Sequence, residues 1–454
     1  MSVYRNVLEL IGQTPMIELT HLDTGKCRLF VKLEFANPGG SIKDRIGLAM
    51  IEGAEQAGKI KPGDTLVEAT AGNTGISLAL VAAQKGYKMV IVMPDKMSQE
   101  KVFNLKAMGA EVIMARSDVA KGHPDYYQEV AARIAEERGG FFINQFSNPD
   151  NPRAHEETTA PEIWEQMEHD LDAVVAGVGS GGTITGFSRF FGKVAPHVEV
   201  VLADPEGSIV NEFIRTGEYG KAGSWVVEGI GEDFIPDVCE LERVRKGYTI
   251  PDTEALLTVR ELLLKEGLLA GSSSGTLLAA ALRYCREQTE PKKVVTLLCD
   301  TGNKYLSKMF NDFWMVDRGF LEPQTDGDLR DFVARPHAGR VTVCVGITEP
   351  LATARVRMRE NGLSQLPVLE GGNFAGMIDE RSIMYALRGG ADLSAPVADG
   401  MRAGNPVIDS QAAPQQLEKL LDDEFAVVIM HDGEFYGLVT RGDWLAMRAH
   451  RGAA

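Results

Sequence analysis

Cysteine is scarce: Cys27, Cys239, Cys285, Cys299 and Cys344 are the five in 454 residues, scattered and with no CxxC pair. An odd, dispersed set argues against a disulfide framework and predicts reduced, mostly buried thiols. Long apolar runs are missing as well, since a membrane helix needs ~18 or more such residues. The opening Met1-Ser2-Val3-Tyr4-Arg5-Asn6 lacks the basic region and apolar stretch of a signal peptide, so a cytoplasmic location is expected. Positive charge is in deficit, with 47 Lys and Arg against 64 Asp and Glu and a net charge of −17. That balance argues against nucleic acid or anionic membrane as the main partner. The eight histidines show no metal-ligand spacing, so no zinc is expected. With 44% hydrophobic and 24% charged residues, the composition is that of a globular chain able to bury a large core. The length suggests more than one domain.

Up to about Trp314, short β-rich runs alternate with helical patterns. Arg28–Leu33, Thr65–Val67, Lys88–Met93, Ala110–Met114, Ala173–Ala176, Val198–Ala203 and Val294–Leu298 read as strands, and Ile42–Gln56 as a helix. Such alternation predicts an α/β fold with mostly parallel sheets covered on both faces. Ligands in such folds bind beyond the carboxyl ends of strands, so the strand-to-helix turns are the places to search. Between Met315 and Pro336 the pattern gives way to charged, turn-prone sequence that reads as a linker. Beyond it an internal repeat appears: Gly371-Gly372-Asn373-Phe374-Ala375-Gly376-Met377-Ile378 matches Asp432-Gly433-Glu434-Phe435-Tyr436-Gly437-Leu438-Val439. Each copy is too small to bury its own face, which suggests an intramolecular pair. The expected boundaries are 1–315, a linker 316–336, a first repeat 337–392 and a second 393–454.

Four glycine-rich segments carry the chemistry. Asn37-Pro38-Gly39-Gly40-Ser41-Ile42-Lys43-Asp44-Arg45 places a lysine at a helix start, where acids are normally favoured. Burial and nearby positive dipoles lower a lysine pKa, as a Schiff-base lysine requires. Glu68-Ala69-Thr70-Ala71-Gly72-Asn73-Thr74-Gly75 offers backbone N–H groups and small hydroxyls suited to a carboxylate or phosphate. Gly177-Val178-Gly179-Ser180-Gly181-Gly182-Thr183 satisfies G-x-G-x-x-G, with Asp204 ending the next strand. By itself this segment fits either a dinucleotide fingerprint, and so an NAD-dependent oxidoreductase, or a cradle for a single phosphate. Gly271-Ser272-Ser273-Ser274-Gly275 opens another helix.

Together the four segments resemble the fold-type II pyridoxal-phosphate family of cysteine synthases and cystathionine β-synthases, over nearly all of Tyr4 to Met315. The resemblance implies two parallel-sheet subdomains, with pyridoxal 5'-phosphate held by Lys43 as a Schiff base. It implies further that Asn73 meets the cofactor's ring oxygen, that Gly179, Ser180, Gly181, Gly182 and Thr183 hold its phosphate, and that Ser273 faces the pyridine nitrogen. Thr70, Ala71, Gly72 and Thr74, with Gln145, are then the substrate-carboxylate residues. A serine opposite the pyridine nitrogen tempers the electron sink and suits β-elimination. An NAD-dependent reading leaves Lys43, Asn73 and Ser273 unexplained.

Two segments, Ala203-Asp204-Pro205-Glu206-Gly207-Ser208-Ile209 and Val227 to Pro236, resemble the cystathionine β-synthase branch. That branch implies serine and homocysteine as substrates, hydrogen sulfide from cysteine as a side product, and a homodimer or higher homo-oligomer. Ala71 in place of a common Ser, Phe146 as in cysteine synthases, and Glu232 where Tyr is frequent depart from it. They keep an O-acetylserine-dependent cysteine synthase as the alternative. Some relatives carry haem on an N-terminal extension. Here His21 and Cys27 lie inside the expected core, so no haem is expected. Residues from about Ala338 to Met447 resemble a tandem, α+β pair of CBS domains, which sense adenosyl ligands. A hydroxyl residue followed three positions later by Asp contacts the ligand in such modules. Thr440 and Asp443 match it in the second copy, whereas Asp379 and Ser382 stand there in the first, so at most one site per chain is expected.

Overall fold

The computed structural model describes residues 3–70, 72–95, 99–119, 122–322, 325–337 and 342–452. Two compact units result, Met1–Phe310 and Asn311–Ala454. In the first, the strands are β1 (Met16–Glu18), β2 (Arg28–Leu33), β3 (Thr65–Ala69), β4 (Lys88–Pro94), β5 (Glu111–Ala115), β6 (Phe141–Phe142), β7 (Ala173–Gly177), β8 (Glu199–Pro205), β9 (Val244–Ile250) and β10 (Lys293–Leu298). The larger sheet has the order β1-β2-β10-β7-β8-β9 and is parallel except for the edge pair β1/β2. The smaller, β5-β4-β3-β6, is parallel throughout. Val174, Val175, Val294 and Leu298 in the central strands are fully buried, as strands covered on both faces must be.

Each strand expected from the sequence is present to within two residues. β1, β6 and β9 carry no such signal. β9 is an edge strand whose middle, Arg245-Lys246-Gly247, reaches toward solvent and hides the alternation. The helices that position the site are α1 (Lys43–Gln56), α2 (Asn73–Lys85), α3 (Gly182–Val194), α4 (Asp252–Glu266) and α5 (Ser272–Arg286). Beneath α1, Arg45 is buried with its guanidinium paired to Glu34 (2.8 Å) and Glu162 (2.7 Å), and Lys32 joins Glu162 at 2.9 Å. This satisfied network anchors the turn that carries Lys43.

In the second unit the repeat appears twice as a strand, a helix, a hairpin and a helix. The first copy is β11 (Val345–Gly346), α6 (Leu351–Asn361), β12 (Gln365–Glu370), β13 (Asn373–Asp379) and α7 (Glu380–Arg388). The second is β14 (Val407–Asp409), α8 (Pro414–Asp423), β15 (Ala426–His431), β16 (Glu434–Thr440) and α9 (Arg441–Gly452). Both hairpins shift register at the equivalent place, after Val368 and after Ile429.

The expected boundaries need correction here. Leu329, Phe332 and Val333, read as linker, are buried with Ile408, Leu417, Val427 and Val439 of the second copy. The Leu329 N–H donates to Ser410 O at 2.9 Å. A Cβ on Gly437 would stand 2.4 Å from Val333 Cγ1, so any side chain there would force Val333 to move. Conversely, Val397, read as part of the second copy, is buried with Val345, Leu351 and Ile378 of the first. Arg402 exchanges backbone hydrogen bonds with Met377 at 2.8 and 3.0 Å. Sparse apolar residues among charges and turns conceal such segments, because each completes a core built elsewhere in the sequence.

Candidate active site

The carboxyl end of β10 is where the first unit's loops converge. Cys299 O accepts from the Ile42 N–H (2.8 Å), and Thr301 N–H donates to Gly40 O (3.1 Å), which fixes the turn before Lys43. From the other side, Gly271 N–H donates to Asp300 O (2.9 Å), and Cys299 N–H donates to Ser274 Oγ (2.9 Å). Lys43 at the start of α1 and Ser273 at the start of α5 are thereby clamped to one strand end.

Lys43 Nζ has neither a hydrogen bond nor an ion pair among the described residues. Loss of water lowers its pKa from the ordinary lysine value, and Cys299, Asp300 and Glu232 oppose that less strongly. Burial pushes the Cys299 thiol up to about 12, so it stands as a neutral neighbour. Asn73 opens α2, with its Nδ2 donating to Asp300 Oδ2 (2.9 Å) and its Oδ1 accepting from Lys304 Nζ (2.6 Å). Tyr305 O–H donates to the same Asp300 oxygen at 2.8 Å.

The remaining expected residues form a second chain of contacts. Thr70 Oγ1 accepts from the Gly72 N–H (3.2 Å), and Thr74 Oγ1 donates to Gln145 Oε1 (2.8 Å). Ala71 lies outside the described residues. Asn151 Nδ2 then bridges Gln145 O (2.8 Å) and Ser180 Oγ (2.9 Å), tying that turn to the glycine-rich loop. Gly181 caps α3 with φ +85°, and a Cβ on Gly182 would stand 1.9 Å from Asn151 Oδ1. The Gly182 and Thr183 N–H groups, first in their helix, have no intrahelical acceptor. Thr183 Oγ1 lies 3.3 Å from His155 Nε2, in a one-turn π-helix, His155–Thr159. Burial, with the charges of Lys43 and Arg45, holds His155 well below the ordinary histidine pKa and therefore neutral.

Asp300, Lys304, Tyr305, Asn151 and His155 were missed in the sequence. For the first three a signal existed, because they directly follow the strand end at Leu298. Asp204, the acid of the dinucleotide-fingerprint reading, is fully buried and accepts from the Asn211 N–H at 2.8 Å. Burial pushes it up to about 6. His21 pairs with Glu266 (3.1 Å), and Cys27 is buried with its Sγ donating to Cys285 O (3.6 Å). Among the described residues no group of three or more His, Cys, Asp or Glu is placed to hold a metal, and no helix is long and apolar enough to cross a membrane.

Thr440 and Asp443 belong to the second unit and cap α9. Asp443 Oδ2 accepts from the Thr440 N–H (2.8 Å) and O–H (2.6 Å), and Thr440 Oγ1 accepts from the Asp443 N–H (3.3 Å). The first copy has the same box with the residue types exchanged. There Asp379 Oδ1 accepts from the Ser382 N–H (2.6 Å), Ser382 Oγ accepts from the Asp379 N–H (3.0 Å), and Arg402 pairs with the Asp379 carboxylate (2.8 Å).

A half-buried amine with no hydrogen bond or ion pair among the described residues, in a unit whose α2, α3 and α5 start on glycines without side-chain caps, fits pyridoxal phosphate. The family model described as pyridoxal-phosphate dependent enzyme matches residues 7–300, and the CBS domain model matches 338–389. The cystathionine beta-synthase of Apis mellifera is 36% identical over 97% of this chain and 90% of its own length. The cysteine synthase of Staphylococcus aureus is 44% identical over 68% of this chain and 97% of its own. The crystal structure of O-ureido-L-serine synthase matches with a TM-score of 0.64 and 34% identity, covering 69% of this chain and all (100%) of that one. The chain belongs to the pyridoxal-phosphate dependent enzymes, and among them to the cystathionine β-synthase and cysteine synthase family. Its cofactor is pyridoxal phosphate.

Proposed function

We propose that the protein condenses L-serine with L-homocysteine to give L-cystathionine and water, with hydrogen sulfide from cysteine as a side product, and acts as a homodimer or higher homo-oligomer. The observation that carries the reading is the half-buried amine of Lys43, without a hydrogen bond or ion pair among the described residues, at the convergence of the β10, α1 and α5 ends. Lys43, Asn73, Ser273 and the loop Gly179–Thr183 are the residues that hold the cofactor, the loop through its backbone N–H groups. Bound there, pyridoxal phosphate supplies an electron sink for the pair left on the substrate Cα. Thr70, Gly72, Thr74 and Gln145 orient serine by its carboxylate. Lys43 Nζ, whose pKa is lowered by loss of water, takes the Cα proton and returns one to the departing hydroxyl, which leaves as water. The homocysteine thiol then forms the new carbon–sulfur bond at Cβ, and the proton it gives up passes through Lys43 Nζ to Cα.

The choice of substrates is supported by the likeness to the Apis mellifera protein, which spans both units. A second reading, an O-acetylserine-dependent cysteine synthase with a regulatory tail, draws on the cysteine synthase likeness and on Phe146, whose ring lies tilted against Phe234 at 5.5 Å. Competing turnover assays separate them. The kcat/KM for homocysteine on serine is expected to exceed that for sulfide on O-acetylserine by about tenfold or more, and the reverse order makes the protein a cysteine synthase. For the second unit, the reading assigns one adenosyl compound, S-adenosylmethionine or an adenine nucleotide, to the second copy through Thr440 and Asp443.

A further inference from the structure

The side chain of Asn73 is symmetric in shape and asymmetric in chemistry. A half-turn about its last bond swaps a carbonyl acceptor for an N–H donor at almost no steric cost, so its partners decide which end faces where. Here the partners are of opposite kinds. Lys304 carries only donors, and its Nζ lies 2.6 Å from Asn73 Oδ1. Asp300 Oδ2 receives the Tyr305 O–H at 2.8 Å and lies 2.9 Å from Asn73 Nδ2. The amide is thereby fixed in one orientation, and the second Nδ2 hydrogen has no acceptor among the described residues. The same ammonium reaches Gly39 O at 3.4 Å, so it also ties the turn before Lys43 to the start of α2.

We propose that Lys304 is a positioning residue that orients the Asn73 amide so that its N–H, and not its carbonyl, faces the ring oxygen of pyridoxal phosphate. This rests on the assignment of Asn73 to that oxygen made above. An N–H donor stabilises negative charge on the ring oxygen, whereas a carbonyl there sets two acceptors against each other. Asp300 by itself selects the amino end less firmly, because its Oδ2 is shared with the Tyr305 O–H. Lys304 removes that ambiguity, since an ammonium cannot accept.

A double-mutant cycle on the cofactor-loaded enzyme tests this, with Lys304→Met, Asn73→Ala and the pair combined. The readouts are the balance of the bound cofactor's absorption bands against pH, the cofactor content after alkaline release, and kcat and KM for serine. Lys304→Met is expected to keep the cofactor, to shift the band balance, and to lower kcat by about tenfold with KM unchanged. The double variant is expected to be no worse than Asn73→Ala, because without the amide there is nothing left to orient. Lys304→Arg, a donor from the same place, restores the band balance. Multiplying effects, or an unchanged spectrum in Lys304→Met, overturn the proposal. Lys304→Ala provides an independent removal. Failure of both removals to fold overturns it too, since the tie to Gly39 and not the orientation of Asn73 is then the main role of Lys304. A wild type that binds no pyridoxal phosphate overturns the functional reading itself, whereas a loaded wild type with spectrally silent Lys304 variants overturns this inference alone.

Discussion

The helix starts at the candidate sites of the two units solve the same problem in opposite ways. The first N–H groups of a helix lack intrahelical acceptors and are usually met by a Ser, Thr, Asp or Asn side chain. In the second unit, α7 and α9 each carry such a box, Asp379 with Ser382 and Thr440 with Asp443. In the first unit α1, α2, α3 and α5 begin at Ile42, Gly72, Gly181 and Gly271, none with a side-chain cap. Those uncapped starts cluster with the Lys43 amine and with buried oxygens on Asn151 and Asp300, all without partners among the described residues. Groups that the fold leaves unsatisfied mark where a ligand is to complete it, and groups that satisfy one another mark where the fold is already complete.

Removing the unpaired amine breaks this comparison most severely. Lys43→Ala is expected to lower turnover by about a thousandfold or more and to abolish the visible absorbance of the linked cofactor, measured on the purified variant. Retention of both puts the amine elsewhere.

A smaller effect is expected from the satisfied charges under α1. Burial acts to raise the Glu162 pKa, but hydrogen bonds and charge from Arg45, with Lys32, overcome it and hold the group at about 2. A carboxylate held below its unfolded value stabilises the fold above that unfolded value, and the contribution is lost as pH falls through about 2. Glu162→Gln is therefore expected to cost about 3 kcal/mol at neutral pH. In urea titrations the gap to wild type should close on acidification, and a gap independent of pH assigns the stabilisation to packing.

The smallest effects belong to the boxes. Asp379→Ala and Thr440→Ala are each expected to cost about 1 kcal/mol in thermal unfolding, equally if both are only caps. Calorimetry with S-adenosylmethionine, AMP and ATP sharpens the contrast. Heat in the wild type that vanishes in Asp443→Ala gives the second copy a ligand, and no heat with any of them leaves two caps.

The parallel sheets were legible because buried strands are written as unbroken apolar runs, such as Val294–Leu298. Lys43, Asn73 and the loop Gly179–Thr183 were legible because glycine and small hydroxyls at a strand-to-helix turn have few structural reasons to be there. Asn151 and His155 were not, since a polar residue inside a helix looks the same whether it faces water or bridges two loops. Neither were Leu329, Phe332 and Val333, because their partners lie far along the chain and local periodicity holds no trace of them.

That last arrangement governs the order of events during synthesis. The second copy's core needs Leu329 and Val333 from the front of the unit and Val427 and Val439 from near its end. As the chain emerges, Leu329 to Val333 wait exposed until the β15–β16 hairpin arrives, while the first copy, sealed by Val397, can close earlier. Contacts this distant in sequence form late and slowly. A break anywhere between Arg402 and Val439 therefore leaves an intact front half carrying an orphaned apolar segment, a natural handle for chaperones and proteases.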